Sequence, residues 1–358
     1  MQTTSYIIPP SDDYPFYITA NRYYTLQWEE RSQTDSSALT LIILHSTSFH
    51  KEIWEPTLTD FIRLTTKAED TSISEDQSYK RCRTVNVRDI WAIECPNHGA
   101  SAQLNLRVKS EPDSGNFSCS KYAEAVHRFL SVPPHHPDGP KVDFRKRTLV
   151  GVGHSLGANA ILLLQSIKPY FDFSFLVIVE PLVTALGLEH LEPLRERLIR
   201  RAQKRDLVWE SREKATLALS RSAKWDPRVV DVFVQHGLYE EPKLNGYTLY
   251  CSPKQEIAMY EDIDGPTKPV EVIQNICHRT PIHLLLGEYA DFVPAHLHQA
   301  LIDPSSGRHF ASVTTMKNSG HLIPQQKPTE LAKWLLDVLL KQTAQSTAPP
   351  AGSPRHRL

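Results

Sequence analysis

Cysteine is scarce in this chain. There are five among 358 residues, at Cys82, Cys95, Cys119, Cys251 and Cys277. The number is odd, the spacing is irregular, and no two form a Cys-x-x-Cys pair. This pattern argues against a disulfide framework and against a zinc site. We therefore expect mostly buried, unreactive thiols and no structural metal.

A surplus of positive charge is also absent. The 40 lysines and arginines nearly balance the 41 aspartates and glutamates, which gives a net charge of −1. Nucleic-acid-binding proteins need a basic surplus, so no nucleic-acid partner is expected. No apolar run approaches the roughly 18 residues of a membrane helix, and residues 1–11 lack the charged start and apolar centre of a secretory signal. We expect a soluble intracellular protein.

What the chain does contain is an alternation of short apolar runs with amphipathic stretches. This pattern predicts an α/β fold, in which helices link the strands of a sheet. The predicted strands are Leu39–Leu44, Val85–Glu94, Thr148–Val152, Phe173–Val179, Pro281–Leu286 and Ser312–Met316. Helical spacing predicts a helix over Leu156–Ile167 and a last helix over Glu330–Leu340, with Thr329 as its cap.

Four segments fall outside this alternation. Residues 65–80 are polar and are interpreted as a surface insertion, and residues 133–140 are interpreted as a proline-rich loop. Residues 189–276 are too many for an ordered loop between two strands, and they predict a small helical cap. The tail is rich in Ser, Thr, Ala and Pro, which predicts disorder. The predicted organisation is a core of residues 1–188 and 277–343, a cap of residues 189–276 and a disordered tail of residues 344–358.

The strongest local signal is a match to G-x-S-x-G, present as Gly153-His154-Ser155-Leu156-Gly157. It follows an apolar strand and precedes a helix, the context in which such a turn exposes the serine hydroxyl. The alternative is a glycine-rich turn with an incidental serine, which the flanking strand and helix disfavour. The N–H of Leu156 lies at the helix start, where unpaired donors favour an anion.

A serine hydroxyl is a poor nucleophile unless a base lies beside it. Among 16 histidines, His321 is the best candidate because it follows the last predicted strand. If all strands run parallel, His321 lies at the same sheet edge as Ser155. His45, His98 and His154 also lie near that edge and are interpreted as hydrogen-bonded structural histidines.

A carboxylate must orient the histidine and balance the charge of the imidazolium. Glu180 ends an otherwise apolar strand, where an unpaired charge is costly, and this favours a function. Asp291 and Glu288, after the next strand, are the alternatives. The predicted catalytic residues are Ser155, His321 and Glu180, with Asp291 as the alternative acid, and the predicted oxyanion donors are the main-chain N–H groups of Thr47 and Leu156.

At this point the residues resemble the α/β-hydrolase family, from about Leu39 to Leu340. The loop His45–Trp54, the segment Glu94–Ser101, the turn at Ser155 and the Gly320-His321 pair fall in family order. The family's acid commonly follows the strand that corresponds to Pro281–Leu286, and the usual aspartate would fall at Ala290. A minority branch has its acid about 25 residues after the nucleophile, which Glu180 fits.

The loop His45–Trp54, the stretch Val179-Glu180-Pro181 and the inserted cap are similar to fungal peroxisomal hydrolases of secondary-metabolite clusters. That group includes acyl-CoA thioesterases of the mycophenolic-acid type and toxin-cluster hydrolases. The resemblance implies a serine hydrolase of esters or thioesters without metal or organic cofactor, with an acyl-CoA thioesterase preferred over a carboxylesterase or lipase. Ser46 stands where the family usually has glycine, and this departure favours a rival of another class, a non-catalytic binding protein on the same scaffold.

Two further stretches bear on substrate and location. Basic residues cluster in the predicted cap, at Arg195, Arg197, Arg200, Arg201, Lys204 and Arg205. Such a cluster would attract the phosphates of coenzyme A, although on residues alone a solvated helix face is preferred. The terminal His356-Arg357-Leu358 resembles the peroxisomal S-K-L tripeptide. We expect a peroxisomal protein, otherwise a cytoplasmic one, with a peroxisomal import receptor as partner.

Overall fold

The structure is a computed structural model. It describes residues 1–70, 85–106, 117–132, 142–204, 208–222 and 224–347. Its strands are β1 (Gln2–Ile8), β2 (Ile18–Tyr24), β3 (Leu39–Leu44), β4 (Val87–Ile93), β5 (Thr148–His154), β6 (Phe173–Val179), β7 (Leu238–Glu241), β8 (Gly246–Leu249), β9 (Ile282–Gly287) and β10 (Ser312–Met316). Its helices are α1 (Leu26–Thr34), α2 (Glu55–Asp70), α3 (Gly99–Asn105), α4 (Cys119–Ser131), α5 (Leu156–Leu164), α6 (Glu192–Gln203), α7 (Arg212–Ser222), α8 (Pro227–Gly237), α9 (Pro253–Glu261), α10 (Lys268–Ile276), α11 (Ala295–Ile302), α12 (Ile323–Gln326) and α13 (Pro328–Thr347).

Eight of the strands form one sheet, in the order β1-β2-β4-β3-β5-β6-β9-β10. The strands from β4 to β10 in that order pair in parallel. β2 pairs antiparallel with both β1 and β4. The short link between β1 and β2 contains no helix, and such a link joins antiparallel strands. The sheet is therefore mostly parallel, as the α/β-hydrolase fold implies, and it departs from a fully parallel arrangement at these two strands. Residues that follow β3, β5, β6, β9 and β10 nevertheless meet at one sheet edge, which is where ligands bind in open α/β sheets.

Strand β3 shows how the core is built. It reads Leu-Thr-Leu-Ile-Ile-Leu, and all six residues are buried. Ile42 and Leu44 belong to one hydrophobic cluster, with residues of α4, α5 and α10. Leu41 and Ile43 belong to a second cluster, with residues of α2 and α13. Because helices cover both faces of the sheet, the strand is apolar on both faces apart from Thr40, instead of alternating.

Several predicted bounds hold. The strands Leu39–Leu44, Phe173–Val179 and Ser312–Met316 are observed as predicted. The helix after Ser155 ends at Leu164, earlier than predicted. The predicted cap of the last helix is wrong, because α13 already begins at Pro328 and the Thr329 hydroxyl donates to Asp60.

Residues 189–276 contain helices α6 to α10 and the hairpin β7–β8, which was not predicted. Helix α6 packs against α9, and α10 packs against α5. The guanidinium of Arg195 on α6 donates to the carbonyl oxygen of Tyr260 on α9 at 2.9 Å. The division of the chain into a core and a cap stays a prediction.

Two predicted irregular segments are partly helical. Residues 65–70 form the end of α2, and residues 344–347 form the end of α13. The remaining predictions for residues 71–80, 133–140 and 348–358, and those for Cys82 and Arg205, lie outside the described residues. The described cysteines are free, and all but Cys277 are buried. Within the described ranges, no helix has both the length and the apolarity to cross a membrane.

Candidate active site

Ser155 occupies the turn between β5 and α5, with φ 52° and ψ −115°. A positive φ is costly for a residue with a side chain, and such strain is concentrated at functional sites. The flanking glycines make the turn possible. A Cβ at Gly153 would lie 2.3 Å from the carbonyl oxygen of Gly157, and a Cβ at Gly157 would lie 2.4 Å from that of Leu44. The sharp turn predicted from the pentapeptide is observed.

His321 lies next to Ser155, with Nε2 of the imidazole 3.0 Å from the Ser155 Oγ. The imidazole is buried, and the ring of Phe292 stacks on it with a centroid distance of 4.1 Å. Its Nδ1 lies 3.0 Å from Oε2 of Glu180. An ionised carboxylate can only accept, so Nδ1 carries the proton, and Nε2 is the acceptor for the Ser155 hydroxyl.

Glu180 follows β6 and has a positive φ of 47°. It is 1% exposed, and its Oε1 accepts a hydrogen bond from the N–H of Gly287 at 2.6 Å. Burial acts to raise the pKa of Glu180, but the hydrogen bond and charge of His321 outweigh it, and the pKa lies below its usual value. The carboxylate is therefore ionised at neutral pH and can balance an imidazolium.

The two alternative acids have other partners. Oδ1 of Asp291 accepts the main-chain N–H of His321 at 2.8 Å. Glu288 is paired with the ammonium of Lys317 at 2.9 Å and accepts the N–H of Asn318 at 2.8 Å. The structure thus brings Ser155, His321 and Glu180 together, leaves Asp291 on the main chain of the histidine loop, and keeps Glu288 away from the imidazole.

His45, His98 and His154, the three histidines interpreted as structural, have hydrogen-bond partners in the structure, as predicted. His45 accepts the N–H of Cys95 at 3.1 Å, and His98 accepts that of Ser48 at 2.9 Å. Nε2 of His154 donates to the carbonyl oxygen of His321 at 2.8 Å. Burial lowers the pKa of His45 to about 4 and the pKa of His154 to about 3, so both are neutral at physiological pH.

Ser155 and His321 line a cavity of about 820 Å³, which is the size of a small-molecule site. Three mutually contacting aromatic rings form part of its wall, with centroids 5.2 to 5.6 Å apart: Phe49, Trp225 and Phe233. The buried polar side chains Asn159 and Glu256 also line it. The cavity therefore combines a large apolar wall with a few polar groups.

Thr47 and Leu156, the predicted oxyanion donors, line the same cavity. Leu156 is the first residue of α5, and the first N–H groups of a helix have no partner within it. Thr47 lies in a turn closed by the N–H of Phe49, which donates to the carbonyl oxygen of Ser46 at 3.2 Å. The turn does not use the N–H of Thr47. The loop residue with a positive φ is Ser48, at 65°, and not Ser46, so serine in place of glycine at Ser46 introduces no left-handed strain.

The basic cluster of α6 separates in the structure. Three members line the cavity: Arg195, Arg201 and Lys204. Arg200 instead pairs with Glu196 at 3.1 Å, and Arg197 donates to the carbonyl oxygen of Phe292 at 3.3 Å. Only part of the cluster is therefore available to a ligand in the cavity.

Sequence reasoning missed two residues close to the site. Nε2 of His298 lies 3.9 Å from Oε2 of Glu180, and burial lowers the pKa of His298. Nothing in the sequence distinguished it from the other histidines. Asn159 is 2% exposed on the otherwise apolar helix α5. A polar residue in an apolar segment is costly to bury unless it has a partner, and this signal, which pointed to Glu180, also pointed to Asn159.

A buried charge network beneath the Thr47 loop was also missed. Nζ of Lys51 lies 2.8 Å from Oε1 of Glu52 and 2.9 Å from Oε2 of Glu94. Oε2 of Glu94 also accepts the N–H of Ser101 at 3.1 Å. The network ties the loop after β3 to the segment after β4, and so supports the wall that carries Thr47.

A mostly parallel eight-stranded sheet with a serine in a strained strand-to-helix turn is the architecture of the α/β hydrolases. The profile of the alpha/beta hydrolase family matches residues 41–334, and the chain belongs to this family. The predicted family and fold class are confirmed, and the family supports a hydrolase.

The chain is similar to the type I acyl-CoA thioesterase mpaH of Penicillium roqueforti (strain FM164), with 24% identity over 283 residues. That match covers 76% of this chain and 53% of the relative, so this chain spans about half of its length. Identity to the mpaH of Penicillium brevicompactum is 25% over 347 residues, 88% of this chain and 71% of the relative. Among solved structures, the peroxisomal alpha-beta-hydrolase Lpx1 of Saccharomyces cerevisiae has a TM-score of 0.71 at 14% identity, covering 100% of this chain and 93% of that one.

Proposed function

We propose that the protein is a serine hydrolase that cleaves ester or thioester bonds through an acyl-enzyme. The observation that carries this proposal is the pair of 3.0 Å contacts that joins Ser155 Oγ to His321 and His321 to Glu180. His321 takes the hydroxyl proton as Oγ attacks the carbonyl carbon, and then gives it to the departing thiolate or alkoxide. Water next attacks the acyl-enzyme. His321 takes a proton from the water and returns it to Oγ as the free acid leaves.

The charges that develop in this reaction have partners in the site. The negative charge on the substrate oxygen is stabilised by the N–H groups of Leu156 and Thr47, which line the cavity beside Ser155. The positive charge on His321 is balanced by Glu180, whose low pKa keeps it ionised. Glu180, and not Asp291, is the proposed acid, since Asp291 is engaged with the main chain.

The proposed substrate is an acyl-CoA thioester. The mpaH relatives are named acyl-CoA thioesterases. In this chain, Arg201 and Lys204 offer positive charge to phosphates at the same cavity whose aromatic wall suits an apolar acyl group. Hydrolysis of oxygen esters, as by a carboxylesterase or lipase, is the alternative, because the same residues perform both reactions.

We further propose that this hydrolase acts in the peroxisome, in fungal secondary metabolism. The support is its likeness to the yeast hydrolase described as peroxisomal, and its resemblance to the secondary-metabolite hydrolases named above. Fluorescence microscopy of the full chain with an amino-terminal reporter tests the location. A diffuse signal in fungal cells would contradict it.

The triad is tested with a fluorophosphonate probe, which reacts with activated serines. We expect the wild-type chain to be labelled, and Ser155→Ala to lose labelling together with about 10³-fold or more of kcat. Ser166→Ala, the same change beyond the end of α5, is the matched control and should retain labelling. A folded wild-type chain that is not labelled would favour the rival, a binding protein on a hydrolase scaffold. Turnover of matched CoA thioesters and oxygen esters then decides the substrate class.

A further inference from the structure

The carboxylate of Glu180 has two hydrogen-bond donors among the described residues, and these do not fill its capacity. It is 1% exposed, so solvent does not supply the rest. Oε1 accepts the N–H of Gly287 at 2.6 Å, and Oε2 accepts Nδ1–H of His321 at 3.0 Å. An ionised carboxylate offers about four acceptor positions, and a buried charge is costly unless hydrogen bonds stabilise it. Oε2 can therefore accept a further donor.

His298, on α11, lies beside this oxygen. Nε2 of its imidazole is 3.9 Å from Oε2 of Glu180. The nitrogen is closed off from solvent and has no hydrogen-bond partner among the described residues. A buried polar atom without a partner is costly, and native structures contain few of them. An unpartnered nitrogen and a carboxylate oxygen with spare capacity are thus neighbours in a region that solvent does not reach.

The carboxylate determines which nitrogen of His298 carries the proton. With the proton on Nδ1, Nε2 would present a lone pair to an anion 3.9 Å away, whereas a proton on Nε2 presents an N–H. Burial lowers the pKa of His298, and the charge of Glu180, which acts to raise it, does not outweigh the burial. The form of His298 that suits this site at neutral pH is therefore an uncharged ring with its proton on Nε2.

The distance between the two atoms can close without a change in the fold. The 3.9 Å separation is about one ångström longer than an ordinary N–H···O hydrogen bond. The outer side-chain torsion of histidine has a broad energy minimum, so a small rotation of the ring covers this difference. Hydrogen bonds of catalytic groups often shorten only when substrate is bound.

We propose that His298 is a positioning residue for the triad: its Nε2–H donates to Oε2 of Glu180 during turnover and holds the carboxylate against the imidazole of His321. The inference rests on the proposed function, in which Glu180 balances the charge on His321. The described residues that line the cavity do not include His298, so it acts through Glu180 and not on the substrate. Its loss should lower kcat and leave KM nearly unchanged.

The charges that bear on His298 belong to the triad itself. Glu180 favours a proton on this ring, and a charged His321 opposes it. Other charged or titratable side chains on α11 and its neighbours bond elsewhere: Asp291 to the N–H of His321, Arg197 to the carbonyl oxygen of Phe292, Arg308 to the carbonyl oxygens of Ala300 and Leu301, and His296 against the ring of His190. A change at His298 is therefore felt first by Glu180.

Three substitutions of His298 test the donor. His298→Gln keeps an N–H of similar reach, whereas His298→Leu and His298→Phe fill the space without a donor. On the full chain with one CoA thioester, kcat should fall about tenfold or more in the donor-free variants and stay within about threefold of wild type in His298→Gln. KM should change less than about twofold in all three. Circular dichroism and urea unfolding identify the folded variants, and one folded donor-free variant suffices. Wild-type kcat in such a variant would overturn the proposal.

The rate of labelling by the fluorophosphonate probe gives a readout that a packing role would not move. Labelling needs an activated Ser155, but neither CoA recognition nor product release. Its rate falls at acid pH, where the base of the triad is protonated. Without the N–H of His298, Glu180 attracts the proton of the imidazolium more strongly. The acid limb should therefore move upward by about 0.5 pH unit or more in the donor-free variants and stay in place in His298→Gln. An unchanged or lowered limb in the donor-free variants would contradict the proposal.

His296→Leu is the matched control, because it makes the same change on the same helix at an exposed side chain. It should retain both kcat and the pH profile of labelling. A loss in His296→Leu equal to that in His298→Leu would assign the effect to the helix and refute the donor. Failure of the proposed function is seen separately, since a folded wild-type chain would then be neither labelled nor active, before any variant is compared.

Discussion

Asp291 holds the main chain of His321 and not its imidazole, since Oδ1 accepts the N–H of His321 at 2.8 Å. At the other end of the same residue, His154 donates to the carbonyl oxygen of His321 at 2.8 Å. The backbone on both sides of the imidazole is therefore fixed by side chains. The ring itself is left to contact Ser155 and Glu180.

The two carboxylates near His321 should differ in their effects on catalysis. Glu180→Gln is expected to lower kcat about 10³- to 10⁴-fold, because a neutral amide cannot balance the imidazolium. Asp291→Asn keeps an oxygen that can accept the N–H of His321, so we expect a loss below about tenfold. Steady-state kinetics on one thioester compares the two variants. A larger loss for Asp291→Asn would assign the acid role to Asp291.

Arg201 and Lys204 are expected to recognise the phosphates of a CoA leaving group. Replacing both with alanine should raise KM for a CoA thioester about tenfold, most strongly at low salt, where charges are least screened. KM for the N-acetylcysteamine thioester of the same acid, which has no phosphate, should not change. Arg200→Ala is the matched control, because Arg200 is paired with Glu196. An equal rise in KM for both thioesters would exclude phosphate recognition by this pair.

Lys51 should be essential for stability. Burial acts to lower the pKa of Lys51, but the charges of Glu94 and Glu52 outweigh it and raise the pKa above the usual value. Lys51→Met leaves two buried carboxylates without their cation, so the free energy of unfolding should fall by about 3–5 kcal/mol. Lys317→Met, which removes a surface partner of Glu288, should cost less than about 1 kcal/mol. Urea unfolding measures both, and similar values for the two variants would contradict the buried role of Lys51.

The stability of the fold should decrease below about pH 6.5, in part because of His154. Its folded pKa is about 3, since burial disfavours the charged ring. Between about pH 6.5 and pH 3 the unfolded chain binds a proton at this histidine that the folded chain does not. The stability that the neutral His154 contributes is therefore fully present above about pH 6.5 and is lost as the pH falls toward 3. The free energy of unfolding falls by up to about 1.4 kcal/mol per pH unit in this range. His154→Gln keeps a donor for the carbonyl of His321 but does not titrate. Its free energy of unfolding, measured in urea, should fall less between pH 7 and pH 5 than that of the wild type. An equal fall would exclude His154 as the cause.

The parts of the site that could be predicted were those with local signals. Ser155 stands in a pentapeptide between a strand and a helix, and Glu180 is a charge at the end of an apolar strand. His321 follows the last strand of the sheet. Each of these residues directly follows a strand, and the alternation of strands and helices predicts that the ends of these strands lie at one edge of the sheet.

The parts that could not be predicted depend on contacts between distant segments. His298 on α11 meets Glu180, which follows β6, only because the fold brings these two distant segments together, and no periodicity reveals that approach. Lys51 lies in the polar stretch between β3 and α2, where no sequence pattern marks a buried charge, and it is 2% exposed between two carboxylates. The antiparallel strand β1 was missed because its residues alternate between buried and exposed on an edge and lack a continuous apolar run.

The close approach of α5 to β3 at Gly157 has a practical consequence for enzyme engineering. Helix and strand touch there through their backbones, and the gap does not admit a single methyl group. Mutant libraries designed to change the substrate range should therefore leave Gly153 and Gly157 untouched. Substitutions are better made at cavity-lining positions such as Leu219 and Trp225. Side chains at these positions contact the cavity and do not take part in the turn that carries Ser155.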